Sequence, residues 1–201
     1  MGKKMKDIDY LVVSARIRAK ENSLLTQERM EQVLAARSDE EAAKLLREYG
    51  YPALNAGDPA ALDAALSRVR EETLADLPDP RYIELFKLKY DYHNIKAVIK
   101  AEAMGTDPGR MLMDLGRVPA GDLREALQTG SLESLPPLLG QAAVEAKEVL
   151  ATTRDPQLSD VEVDRWCYRD MAAVAEESGS AFLRGYVETE IDAVNLRTLV
   201  R

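Results

Sequence analysis

The chain has 201 residues, of which 46% are hydrophobic, 31% charged and only 5% aromatic, and its formal net charge is −8. That sign is wrong for a phosphate backbone, so nucleic acid is not an expected partner. A single cysteine, Cys167, excludes an internal disulfide, and with one histidine it leaves too few soft ligands for a zinc-type site.

Ala, Leu, Glu and Arg dominate and no sustained run of alternating β-branched residues occurs, which predicts an all-α fold. The first helix is expected over residues 9–22, where Tyr10, Val13, Ile17 and Leu24 share one amphipathic face. Thr26 caps a second over 26–36. Ser38 and Glu41 form a capping box for a third, which Gly50 and Pro52 end near Tyr49. Asp58-Pro59 opens a helix running to about Leu77, and Asp79-Pro80 repeats that start for a long helix ending at Gly105.

Beyond it, residues 111–115 read as a short helix closed by Gly116, and 120–128 as another. A longer helix is expected over 131–153, broken or reset by Pro136-Pro137. Ser159 and Glu162 form a second capping box, opening a helix through about Glu176 with Trp166 and Met171 in the core. Ser178-Gly179-Ser180 is a turn before a last helix over 182–201. No apolar run approaches the ~20 residues a bilayer span requires, and the basic start lacks a signal-peptide apolar region. The expectation is a soluble, cytoplasmic protein without cofactor or metal.

Two of these helices carry the same polar pair. Asp91 and Asn94 sit in the long helix, and Asp192 and Asn195 in the last one, both at an offset of 101 residues. The correspondence continues from Ile95, Lys96 and Ile99 to Leu196, Arg197 and Val200, which predicts two repeat units, residues 1–105 and 106–201. A looser likeness joins residues 24–46 to 115–139. Positions i and i+3 share a helix face, and here that face is otherwise apolar, with Leu88, Ile95 and Val98 flanking the first pair. Polar groups buried there need partners, at about 1–3 kcal/mol for each one unmet. The expected role is a structural hydrogen-bond clamp between neighbouring helices, with Arg16 a candidate partner for Asp91. Asn at i+3 is no general base and nothing nucleophilic recurs beside either pair, so a catalytic role carries little weight. His93 points to another helix face and reads as a surface or interface residue. GxxxxGK[ST] is absent from the chain.

The residues also resemble a known family. An early Ala15-Arg16-Ile17-Arg18-Ala19 helix, the Leu112/Leu115–Pro119 stretch with its Gly116, and two D-x-x-N-[IL]-[KR] helices carry the likeness. Together they resemble the C subunit of the archaeal and bacterial A/V-type rotary ATPases, related to the d subunit of the eukaryotic V-ATPase. The resemblance implies all-helical units forming part of a funnel. Such a part holds the D and F subunits of the rotor shaft, sits on the membrane proteolipid ring and performs no chemistry. It also implies three units where this chain has two, so a shortened chain is an expectation. In that case Asp192 and Asn195 repeat the clamp while partly exposed, and apolar side chains show on the face near residues 194–200. The residues alone stop at a helical repeat protein. A generic adaptor binding partner helices is the alternative, and an enzyme is the least supported reading.

Overall fold

The computed structural model describes residues 6–53, 59–75, 77–79 and 81–200. Among these it is all-helical: α1 (Leu11–Glu21), α2 (Gln27–Leu34), α3 (Asp39–Glu48), α4 (Pro59–Leu74), α5 (Arg81–Met104), α6 (Ala120–Thr129), α7 (Pro137–Thr153), α8 (Pro156–Ser178) and α9 (Ala181–Val200). They divide into two compact units, Met1–Pro80 and Arg81–Arg201. The packing thus places α5 with the helices that follow it. The repeat boundary at residue 105 rests on sequence likeness, which is a separate matter.

In the first unit the starts are local chemistry. Thr26 Oγ1 accepts from the Arg29 amide at 3.3 Å, and Ser38 Oγ from the Glu41 amide at 3.2 Å. The capping box is displaced by one residue, because the Glu41 carboxylate accepts from the Arg37 amide rather than from that of Ser38. Helices α2 and α3 are joined where the Tyr49 hydroxyl donates to Gln32 and the Arg29 guanidinium stacks over the Tyr49 ring. Val13 of α1 is the buried apolar side chain among the described residues of this unit. Asp58, the expected cap of α4, and Pro80, the expected start of α5, lie outside the described residues.

The second unit holds the main core. Leu85, Leu88, Tyr92, Ile95, Val98 and Ile99 of α5 pack with Leu123 and Leu127 of α6, Leu139 of α7, Val163 and Met171 of α8, and Leu183 and Val187 of α9. Trp166 is buried as expected, and its indole N–H donates to Glu145 at 3.0 Å. Helix α7 meets the core with Ala142, Ala143 and Ala146, all fully buried. These small side chains let α8 approach closely. Around this core, Lys96–Asp164 and Lys100–Asp160 pair α5 with α8 one turn apart, each at 2.5 Å. Lys89 pairs with Glu190, tying α5 to α9.

Two expectations are corrected. Helix α8 starts at Pro156, three residues before the expected capping box, with Asp155 Oδ1 accepting from the Gln157 amide at 2.8 Å. Ser159 is interior and buried, and its hydroxyl donates to the Ala146 carbonyl at 2.9 Å. Asp155-Pro156 is the same start signal as the two earlier Asp-Pro pairs. The segment expected as a short helix over 111–115 is a 3-10 turn, Gly109–Met111, followed by extended backbone at Leu112. In the helix expected over 131–153, Pro136-Pro137 breaks the start as expected: a 3-10 turn at Leu132–Ser134 is followed by extended backbone and then α7.

Cys167 is buried between α5 and α8, and burial, aided by the Asp164 charge, pushes its thiol up to about 12. Tyr92 is raised as well, first by burial and then by Asp170. A group whose proton is held more tightly in the folded state makes stability fall as pH rises past its ordinary value. From about pH 9 to about 12 the unfolded chain ionises Cys167 while the folded chain does not. Denaturant titrations across that range are therefore expected to show falling stability, with a shallower fall in Cys167→Ala. At pH 8 a thiol reagent is expected to label Cys167 only as fast as the protein opens.

Candidate functional site

Why α5 carries polar groups on its buried face becomes clear from what they touch. The partner is not another helix but the backbone of the loop at 111–118, a correction to the interhelical clamp expected from the sequence. Asn94, fully buried, accepts from the Met113 amide through Oδ1 and donates to the Met113 carbonyl through Nδ2, both at 2.9 Å. One side chain thus reproduces the two hydrogen bonds a neighbouring strand would make. His93 Nε2–H donates to the Met111 carbonyl at 3.0 Å.

Asp91, also fully buried, receives the other end of the loop. Its Oδ1 accepts from the Arg117 amide at 2.9 Å and the Val118 amide at 3.1 Å, and its Oδ2 from Arg117 Nε at 3.2 Å. Arg117 then extends to α8, where Nη2 donates to Asp170 Oδ2 at 2.6 Å. The Tyr92 hydroxyl donates to the same Asp170 oxygen at 3.1 Å. One guanidinium thereby bridges two carboxylates that are at most 6% exposed, with its fork geometry serving both. Within the loop, Asp114 Oδ1 accepts from the Ala120 amide at 2.9 Å, capping α6, whose own N-cap residue is a proline without a capping side chain.

The electrostatics follow from burial. Loss of water holds the Asp91 carboxyl above the ordinary range, while the Val118 and Arg117 amides and the Arg117 guanidinium pull it back. For Arg117, burial opposes the charge, but Asp170 and Asp91 outweigh it and raise its affinity for the proton. Gly116 completes the site. A Cβ built there would overlap the Asp91 carboxylate, so only glycine lets the backbone come this close.

The structure therefore brings Asp91 and Asn94 together on one loop, and the guanidinium at Asp91 is that of Arg117. Arg16 is an exposed residue of α1. Asp192 and Asn195 are exposed on α9, beside Leu196, Leu199 and Val200 at 62%, 84% and 85% exposure. Sequence reasoning missed Arg117, Asp170 and Tyr92 as members of the cluster. A signal was available for one of them. Gly116-Arg117, shortly after the long helix, pairs a close-approach residue with the cation that a buried carboxylate demands.

Among the described residues no group of acidic, histidine or cysteine side chains could hold a metal ion, and no helix is long and apolar enough to cross a membrane. The cluster has hydrogen-bonding groups but each is directed at the protein's own backbone or charges. Its chemistry is that of holding a loop.

Comparison with known proteins gives an independent result. Residues 13–201 match the model of the family described as ATP synthase (C/AC39) subunit. The C subunit of the V-type sodium ATPase of Enterococcus hirae is 25% identical over 199 residues, covering 96% of this chain and 61% of the relative. The C subunit of the V-type ATP synthase of Thermus thermophilus is 28% identical over 208 residues, covering 94% and 62%. The C subunit of the A-type ATP synthase of Methanocaldococcus jannaschii is 26% identical over 220 residues, covering 96% and 54%. The chain thus spans between about half and three-fifths of the length of these curated relatives. No solved structure matches.

Arg117→Ala is expected to destabilise by about 3 kcal/mol or more, because it leaves two buried carboxylates without their counter-charge. For a chain of this size that is a fall of roughly 6–12 °C in Tm. Arg117→Lys should recover only part, since an ammonium cannot fork to both acids. Asp91→Ala should cost about 1–3 kcal/mol through its unmet donors. Gly116→Ala should cost a similar ~1–3 kcal/mol through overpacking. Thermal melts followed by circular dichroism check all four, and an unchanged Tm for Asp91→Ala would refute the clamp.

Proposed function

The chain belongs to the ATP synthase (C/AC39) subunit family, and from that premise we propose that it is a non-catalytic central-stalk component of a rotary A/V-type ATPase. In this reading it couples the D–F shaft to the membrane proteolipid ring during proton or sodium transport. It lies on the cytoplasmic side, peripheral to the membrane, and contributes two repeat units of the kind that recur three times in the family. The observation that carries the proposal is the family match, which extends over residues 13–201. The relatives from three organisms are each named as the C subunit of an A-type or V-type complex.

The architecture supports a mechanical role. In the second unit, apolar packing, the Lys–Asp pairs between α5 and α8 and the Arg117 bridge all join long helices to one another or to a loop. A part that passes torque must resist internal slip, and polar clamps within an apolar core fix one register among several that hydrophobic packing alone would permit. Asp91 and Asn94, with Arg117, serve this rigidity.

Calorimetric titration of the chain with a purified D–F pair from the same source is expected to give saturable binding near 1:1. Asp91→Ala, with its lowered Tm, serves as a folding control. Absence of binding to a shaft pair that does bind a C subunit of three repeat units would overturn the idea that these two units suffice for the socket. Absence for both would overturn the coupling role itself.

A further inference from the structure

Helix α1 has two apolar sides. Val13 is buried and Ile17 half-buried on the side that packs within the first unit. On the opposite side Ile8, in the 3-10 turn Asp7–Tyr10 that leads into α1, lines up with Leu11, Val12, Ala15 and Ala19. The spacing i, i+3, i+4, i+7 and i+11 makes one continuous helical stripe. Every member is exposed, Ile8, Leu11 and Val12 at 67%, 60% and 70%. Charge edges the stripe. Asp9 and Arg16, about two turns apart, lie along one edge, and Asp7 and Arg18, about three turns apart, along the other. The acids thus stand at the start of the stripe and the arginines towards its end.

We infer that this stripe is a docking site for α1 of a second copy of this chain, packed antiparallel. Charge decides both the occupant and the direction. Asp7 and Arg18 are equidistant from the midpoint between Val12 and Val13, and so are Asp9 and Arg16. A two-fold axis at that midpoint brings equivalent edges of the two helices together. It sets Asp7 beside the partner's Arg18 and Asp9 beside the partner's Arg16, each pair made twice. A parallel arrangement would set acid on acid and arginine on arginine. The apolar contacts fall in the same register. Leu11 opposes the partner's Ala15 and Ile8 the partner's Ala19, large side chain against small, with Val12 meeting its counterpart near the axis. Within the chain Arg18 pairs with Glu21 at 2.8 Å, an exposed contact of the weak kind that a new partner can exchange. A lipid surface is a poor occupant, because Asp7 and Asp9 border the stripe in a chain of net charge −8. The inference concerns α1 alone and does not depend on the rotary-ATPase reading.

The test is sedimentation equilibrium of the full chain from about 1 µM to about 1 mM. One helix-on-helix contact is smaller than a standard interface, so the expected result is a monomer–dimer equilibrium with a Kd of about 10–100 µM that weakens as salt is added. Val12→Glu should weaken it about tenfold or more. Reversing the acids (Asp7→Arg with Asp9→Arg) or the arginines (Arg16→Asp with Arg18→Asp) should weaken it as much. Mixed together, the two reversed chains should pair 1:1 at about the original affinity, which a merely structural effect of either change would not produce. All these residues are exposed, and unchanged melts verify that the variants remain folded. A chain still monomeric at about 1 mM would overturn the inference. So would a dimer that Val12→Glu leaves intact, or reversed chains that associate no better mixed than apart.

Discussion

A carboxylate removed from water must be met by donors, and Asp91 is met from three directions: two successive backbone amides and a guanidinium. Much of the second unit is arranged so that this can happen. Helix α5 runs through the middle of the core, so its polar face cannot reach solvent. The chain after Gly105 folds back along α5 as a 3-10 turn and an irregular loop, whose backbone groups are free to pair with Asn94 and Asp91. That return sets the path of the loop at 111–118 and places Asp114 to cap α6. It also carries Arg117 to Asp170, so α8 is fixed by the same group that neutralises Asp91.

Two kinds of force divide the work. Burial of leucine, isoleucine, valine and alanine surface supplies most of the drive to collapse but little discrimination between neighbouring registers. The polar contacts discriminate. The Met113 amide and carbonyl fit Asn94 in one position only, and Lys96 and Lys100 find Asp164 and Asp160 only when α5 and α8 are correctly aligned. The cluster of Asp91, Arg117, Asp170 and Tyr92 is costly to build in a core and stable only when complete. It selects one arrangement of α5, α8 and the connecting loop.

What is legible in the sequence is what is local or periodic. Caps at Thr26 and Ser38, the positive-φ stops at Gly50, Gly105 and Gly179, and the fold class follow from short-range rules. The buried polar pair at Asp91 and Asn94 stands out because it interrupts an apolar stripe and recurs at a fixed offset. The partners are not legible, because a buried acid states only that it needs donors. Arg16 and Arg117 satisfy that equally on paper, and chain topology decides in favour of Arg117. The short segment after α5 reads as helix for a related reason. Its composition permits a turn of helix, but the tertiary demand of Asp91 and Asn94 for free backbone groups overrides local preference. Ser159 shows the converse, a good capping pattern outcompeted by the Asp155-Pro156 start just before it.

The alanine surface of α7 has a further implication. Ala142, Ala143 and Ala146 have no side-chain torsions to rearrange, so ordering them carried almost no rotamer entropy. An interface of leucines can yield to a push by hopping between rotamers, dissipating displacement within the side chains. The α7 side of this contact has no such compliance, so displacement there must be taken up by backbone or by the side chains of α8.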